Sequence, residues 1–186
     1  MKKQGKFTLI ELLVVIGVIA ILMAMLLPAI GKVRSQAKKA KARAQIKALE
    51  IAIKSYETTY GLLPAGAGDV DESNSSNNNY GRITAGAKYG ALMEVLTCVQ
   101  YPSGSGYKNT RQIRFIDAPE KYSTEGFVDP WGNEFKIFLD IAYAGYVKVG
   151  STTINRSIAI YSFGPNKTDN GGSSTGGNDD ITSWSE

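Results

Sequence analysis

The sequence predicts an α+β fold in which a long N-terminal helix packs on a small antiparallel β-sheet. Three features of its 186 residues predict this. Apolar residues fill nearly every position from Phe7 to Leu27. From Ile30 to Tyr60 they recur mostly at intervals of three and four, the spacing of one helix face. Beyond residue 110 they recur at every second position, the spacing of half-buried strands.

The first run holds 21 residues, of which only Thr8 and Glu11 are clearly polar. As a helix it reaches about 31 Å, which matches the roughly 30 Å hydrocarbon core of a bilayer. It is apolar on all faces and too long to hide inside a domain of this size. It also exceeds the apolar region of an ordinary signal peptide, and no A-x-A site follows it. The reading is an uncleaved membrane helix, with a kink at Pro28 where the ring removes a backbone donor. The helix continues with a stripe of Ile30, Val33, Ala37, Ala40, Ala44, Ile46, Leu49, Ile53, Tyr56 and Tyr60. Lys32, Arg34, Lys38, Lys39, Lys41 and Arg43 form its basic face. From Phe7 to Tyr60 this is a rod of about 80 Å. Its lower half must be covered by lipid or by other copies of itself.

Residues 65–81 are rich in Gly, Asn and Ser and read as a loop, because they cannot bury a core. Residues 88–100 carry apolar side chains at helical spacing and read as a short helix, with Cys98 packed on it. Alternation then marks strands at Ile113 and Phe115, at Phe135 to Ile141, at Tyr146 to Val149 and at Ser157 to Phe163. Gly145, Gly150-Ser151 and Gly164-Pro165 mark turns. These runs describe a sheet of three or four strands, one face of which covers the stripe of the upper helix.

Composition removes several functions. There is no histidine and one cysteine, which excludes His-dependent nucleophile systems, imidazole zinc sites and an internal disulfide. No carboxylate pair sits in a recognisable hydrolase motif, so the reading is not an enzyme. Residues 1–60 hold 11 Lys/Arg against 3 Asp/Glu, and residues 61–186 hold 10 against 14. The basic balance therefore belongs to the helix. No aromatic residues interleave with its charges as stacking platforms, so a nucleic-acid partner is not expected. Six basic residues follow the span and three precede it, which by the positive-inside rule would place the remainder in the cytoplasm.

Glu11 is the anomaly. A carboxylate inside an apolar span costs a few kcal/mol unless it is paired, which makes it a functional candidate. Equally, it lies near enough to the helix start to reach headgroups and the helix dipole. The stretch Lys6-Phe7-Thr8-Leu9-Ile10-Glu11-Leu12-Leu13-Val14-Val15-Ile16, with Pro28 downstream, resembles the N-terminus of type IV prepilins and type II secretion pseudopilins. The resemblance implies that a prepilin peptidase removes residues 1–6 and methylates Phe7. It implies that Glu11 pairs with the free amine of a neighbouring subunit during assembly. It also implies that the globular part lies outside the cytoplasm, against the charge rule. The family's usual residue before the cut is Gly. Here Lys6 stands there, with Gly5 one step back, so either the peptidase tolerates Lys, or the cut follows Gly5, or processing is poor.

Two further stretches resemble the major pseudopilin of type II secretion. Asp129-Pro130-Trp131-Gly132-Asn133 matches its turn, which also reads as a plain Pro-Gly turn carrying a packed Trp. Tyr161-Ser162-Phe163-Gly164-Pro165-Asn166, running on to Asp179-Asp180-Ile181 and Trp184, is similar to its calcium-binding C-terminal loop. Asn166, Asp169, Asn170, Asp179 and Asp180 supply the oxygen that calcium takes, although no EF-hand spacing is present and Asn166 replaces an Asp. The calcium ligands expected are Asn166, Asp169, Asp179 and Asp180.

The resulting organisation is a leader at 1–6, a membrane or filament-core helix at 7–28, and a globular domain at 29–186 with a C-terminal loop at 164–181. The expected function, as the resemblance implies, is a structural subunit of a pilus-like filament, a type II secretion pseudopilin that polymerises through its N-terminal helix to support protein secretion, anchored in the inner membrane by a single pass. The expected partners are other copies of itself, other pseudopilins, the prepilin peptidase and the inner-membrane assembly platform. The alternatives are a type IV pilin, or a minor pilin acting as a surface-binding module.

Overall fold

The computed structural model describes residues 8–64, 82–83, 87–98, 109–117, 127–150, 152–173 and 179–185. Helix α1 spans Leu9–Tyr60, 52 residues that pass through two compact units, Met1–Lys38 and Lys39–Glu186.

In the first unit the described apolar side chains of the helix are exposed. Leu9 is 83% exposed, and Leu12, Leu13, Ile16, Ile19 and Met23 are also exposed. Within α1, the segments Leu9–Met25 and Ile30–Tyr60 flank residues 26–29, whose side chains lie outside the described residues. Leu9–Met25 alone is 17 residues, about 26 Å of helix. Among the described residues no single helix is long and apolar enough to cross a membrane, while the two segments pass that test as a pair. The side chain of Pro28 lies outside the described residues, as do Lys6 and Phe7.

In the second unit α1 buries Ala42, Ile46, Leu49, Ala52, Ile53 and Tyr56. The predicted stripe is shifted at its lower end: Ala40 and Ala44 are exposed, and Ala42 turns inward instead. Alanine gives little periodic signal, so the phase there is set by the large residues Ile46 and Leu49, four and seven residues beyond Ala42.

Helix α2 spans Ala87–Thr97, shorter than predicted. Cys98 takes φ 58° and donates its N–H to the Glu94 carbonyl at 2.8 Å, which ends the helix in a left-handed cap. The strand expected at Ile113 and Phe115 is absent. The Phe115 and Ile116 amides both donate to the Leu96 carbonyl, satisfying the end of α2 instead of a ladder. Buried Asn109 holds that segment, donating to the Val95 and Ile113 carbonyls and accepting from Ile113 N–H and the Tyr60 hydroxyl.

Six strands are described: β1 (Arg82–Ile83), β2 (Lys136–Leu139), β3 (Val147–Val149), β4 (Thr152–Ile154), β5 (Ile158–Ser162) and β6 (Ile181–Thr182). They make two sheets. The larger has the order β1-β2-β5-β6 with antiparallel neighbours, pairing Ile137 with Ile160 and Ser162 with Ile181. The smaller is the β3–β4 hairpin, with Gly150 at φ 59° in its connection. Alternation along β2 and β5 serves both faces. Ile137, Leu139, Ile158 and Ile160 join the core with α1 and α2, whereas Phe138, Ala159 and Tyr161 face the second core of Val147, Val149 and Ile154. The sheet thus lies between a helical layer and the hairpin, which is why every residue of β5 is buried. The α+β architecture predicted from the sequence is the one observed.

Candidate functional site

Two constellations carry chemistry, one in each unit, and each is built from local hydrogen bonding.

At the start of α1, Thr8 is the cap and Glu11 the third helical residue. The Thr8 backbone N–H donates to Glu11 Oε2 at 2.8 Å, and the Thr8 hydroxyl donates to the same oxygen at 2.7 Å. In return the Glu11 N–H donates to Thr8 Oγ1 at 3.4 Å. This is a reciprocal capping box, which satisfies donors that a helix start leaves open. Glu11 Oε1 has no partner among the described residues. The Thr-x-x-Glu spacing ahead of an apolar run is the sequence signal for this box. Sequence reading singled out Glu11 and missed Thr8.

The second constellation is the connection from β5 to β6. Gly164, at φ 68°, opens it, and a Cβ there would strike the Asp179 carbonyl, so only glycine fits. Each acidic side chain then gathers backbone. Asp169 Oδ1 accepts from the Tyr161 hydroxyl at 2.8 Å and from Gly171 N–H at 3.0 Å. Asp179 Oδ2 accepts from Asn166 N–H at 3.1 Å. Asp180 Oδ2 accepts from Gly172 N–H at 2.8 Å and Asn170 N–H at 3.2 Å. Asn166 is occupied: its Oδ1 accepts from Thr168 N–H at 2.6 Å, and its amide donates to Asn170 Oδ1 at 3.1 Å. Ile181 belongs to β6, so the loop ends one residue earlier than predicted.

The other oxygens of the adjacent carboxylates are the ones that matter chemically. Asp179 Oδ1 and Asp180 Oδ1 are both buried, and neither has a hydrogen-bond partner. None of the salt bridges among the described residues reaches Asp169, Asp179 or Asp180. Burial pushes the Asp180 carboxyl up to about 6, the charges of Asp169 and Asp179 add to the rise, and the Gly172 and Asn170 amides oppose it. Buried carboxylate oxygens without donors are costly. A proton or an oxygen-seeking cation would relieve them, and in donor chemistry the Asp179–Asp180 pair fits a hard cation. Among the described residues, no three acidic, His or Cys side chains converge as a ready-made metal cluster.

The two C-terminal motifs read separately in the sequence are joined in the structure. Asp129, 3% exposed, closes its own turn by accepting from Trp131 N–H and Asn133 N–H through Oδ1, each at 2.9 Å. Its Oδ2 accepts from the Ser162 hydroxyl at 2.6 Å, and Ser162 Oγ accepts from Gly164 N–H at 3.1 Å. One buried chain of bonds therefore runs from the Asp-Pro-Trp-Gly-Asn turn to the first glycine of the acidic loop.

The family model described as the prokaryotic N-terminal methylation motif matches residues 1–27. Among curated proteins none matches the chain. The motif supports a type IV pilin-like protein and implies an N-terminal helix anchored in a membrane. Its family is structural rather than enzymatic, and it points to assembly with pilin-like partners into filaments.

Proposed function

We propose that this protein is a structural subunit of a pilus-like filament, and specifically a pseudopilin of type II secretion. The observation that carries the reading is the methylation motif on a helix whose described apolar side chains are exposed. Assembly with copies of itself and with other pseudopilins covers that surface. Residues 1–6 are the leader. The prepilin peptidase cuts between Lys6 and Phe7, outside the described residues, and Phe7 is then methylated. The subunit waits in the inner membrane with residues 29–186 on the extracytoplasmic side, and the assembly platform adds it to the growing filament.

Glu11 is the assembly residue. Thr8 fixes one carboxylate oxygen and leaves the other to meet the amine of a neighbour. In the acidic loop, Asp179 and Asp180 would hold a structural calcium ion, with Asp169 and Asn166 shaping the loop around them. The ion would neutralise adjoining negative charges and let the loop close; it performs no reaction.

The test compares Glu11→Ala with Thr8→Ala in cells. Thr8→Ala loses the cap, worth about 1 kcal/mol of helix stability, and Glu11→Ala loses the reciprocal half of the box. Only Glu11→Ala loses the carboxylate. It should enter the membrane normally and yield no filaments, while Thr8→Ala still assembles. Filaments from Glu11→Ala, or equal failure of both variants, would remove the assembly role. Intact-mass analysis checks the processing, and a mass that retains Met1 to Lys6 would contradict it.

A further inference from the structure

Within the Lys39–Glu186 unit, one face of α1 and the residues around the end of β6 bound an open groove of about 560 Å³. Arg43, Lys47 and Glu50 follow one another on that helix face at spacings of four and three. Arg156, from the connection between β4 and β5, joins the same lining. Three cations against one acid leave an excess of two positive charges. That acid is already shared: Glu50 Oε2 lies 2.8 Å from Lys47 Nζ, and Oε1 lies 4.0 Å from Arg156 Nη1. Arg43 is exposed and has no acidic partner among the described residues. Its charge repels that of Lys47, one helical turn away. Arg156 Nη1 donates to the Ser183 carbonyl at 3.0 Å, which orients the guanidinium, while Nε and Nη2 have no acceptor among the described residues. Ser183 Oγ accepts from Ile160 N–H at 3.0 Å and keeps its own hydrogen for a further acceptor. The groove therefore gathers positive charge and donors that the described chain does not satisfy.

We propose that this groove binds a phosphate monoester, as a small soluble ester or as a lipid headgroup. At neutral pH such a group carries a charge of about −1.5 to −2 and three acceptor oxygens. The charge matches the excess of two, and the oxygens match the unused donors of Arg43, Arg156 and Ser183. A carboxylate brings one charge and would leave half of the excess in place. Guanidinium forks also meet phosphate oxygens in pairs, which favours the two arginines over a lysine-only surface. The groove is larger than the phosphate group itself and leaves room for the body of the ester. No aromatic side chain lines it as a stacking platform, which disfavours a nucleic acid. The site uses neither the apolar half of α1 nor the acidic loop, so it stands independently of filament assembly and of calcium.

The experiment titrates inorganic phosphate, and separately acetate, into the full chain in neutral detergent at constant ionic strength, with calorimetry reading the affinity. The wild type should bind phosphate at least about tenfold more tightly than acetate. Arg43→Gln and Arg156→Gln should each weaken phosphate about tenfold. Arg43 makes no ion pair among the described residues, so Arg43→Gln should melt as the wild type does and keeps the test clear of folding. Glu50→Gln removes the competing acid and should tighten phosphate about threefold, a gain that damage to the fold would not produce. Arg114→Gln, equal in charge change and outside the groove lining, should leave the affinity unchanged. No phosphate binding by the wild type, equal affinity for acetate, weaker binding by Glu50→Gln, or an equal loss in Arg43→Gln and Arg114→Gln would each overturn the proposal. Two further arms separate the sources. Phosphatidic acid retained from mixed micelles in preference to phosphatidylcholine, lost in Arg43→Gln and displaced by inorganic phosphate, would support the site and assign it a lipid headgroup. Glycerol phosphate bound by the wild type, with phosphatidic acid not retained, would support the site and assign it a soluble ester. Failure of both esters to bind would overturn it.

Discussion

Replacing Asp180 by Asn should stabilise the metal-free protein and destabilise the calcium-loaded one. The Asp180 carboxyl is raised from 3.8 to about 6, so at neutral pH the charged form is disfavoured by the fold. A rise of that size corresponds to at most about 3 kcal/mol between protonation states. Water reaches the loop around Gly171 and screens the charge, which lowers the figure to about 1 kcal/mol. Asn keeps an oxygen for the Gly172 and Asn170 N–H groups and removes the charge. With chelator, its melting temperature should therefore exceed the wild type by about 2–4 °C. Calcium at a hundredfold excess over its Kd stabilises a binding-competent fold by about 2.7 kcal/mol. That raises the wild type by about 5–10 °C, and Asp180→Asn should gain little of it. The assay is thermal melting of the fragment from Gly31 onward, in calcium and in chelator. The order of the two proteins should invert between the conditions. Coincident wild-type curves with and without calcium would refute the cation reading. A lower melting temperature for Asp180→Asn in chelator would refute the cost assigned to the buried charge.

Other outcomes follow from the same contacts. Because the folded protein holds the Asp180 proton more tightly than the unfolded chain does, the metal-free fragment should lose stability as pH rises from about 4 through about 6, and the calcium response should grow above that range; pH-dependent melting checks both. Asp129→Ala strands the Trp131 and Asn133 amides and the Ser162 hydroxyl and should cost about 3–4 kcal/mol, against about 1 kcal/mol for Ser162→Ala, and denaturant unfolding of the fragment measures the pair. Gly164→Ala forces a Cβ onto the Asp179 carbonyl at positive φ and should cost about 2 kcal/mol or more while weakening the calcium response, read by melting in both conditions.

The sequence by itself determined the long helix, its exposed apolar half, the upper stripe from Ile46 to Tyr56, the loop glycines and the positions of β2, β3 and β5. All are periodic or compositional properties of a few neighbouring residues, and burial repeats with the backbone period. It also contained the Thr8–Glu11 box, since both partners lie within one helical turn. Only tertiary structure decided what depends on distant segments meeting. Ile113 and Phe115 alternate as a strand does, but the end of α2 claimed the Phe115 amide through Leu96 and Asn109 claimed that of Ile113. Both faces of β5 are covered because a hairpin packs where solvent could have been. Asp129 and Ser162 stand 33 residues apart, and neither turn chemistry nor alternation joins them. The four expected ligands looked alike in sequence. Folding occupied the side-chain oxygen of Asn166 and left Asp179 and Asp180 each with one bare, buried oxygen. A side chain's type is local, whereas its remaining hydrogen-bond capacity depends on everything the fold brings to it.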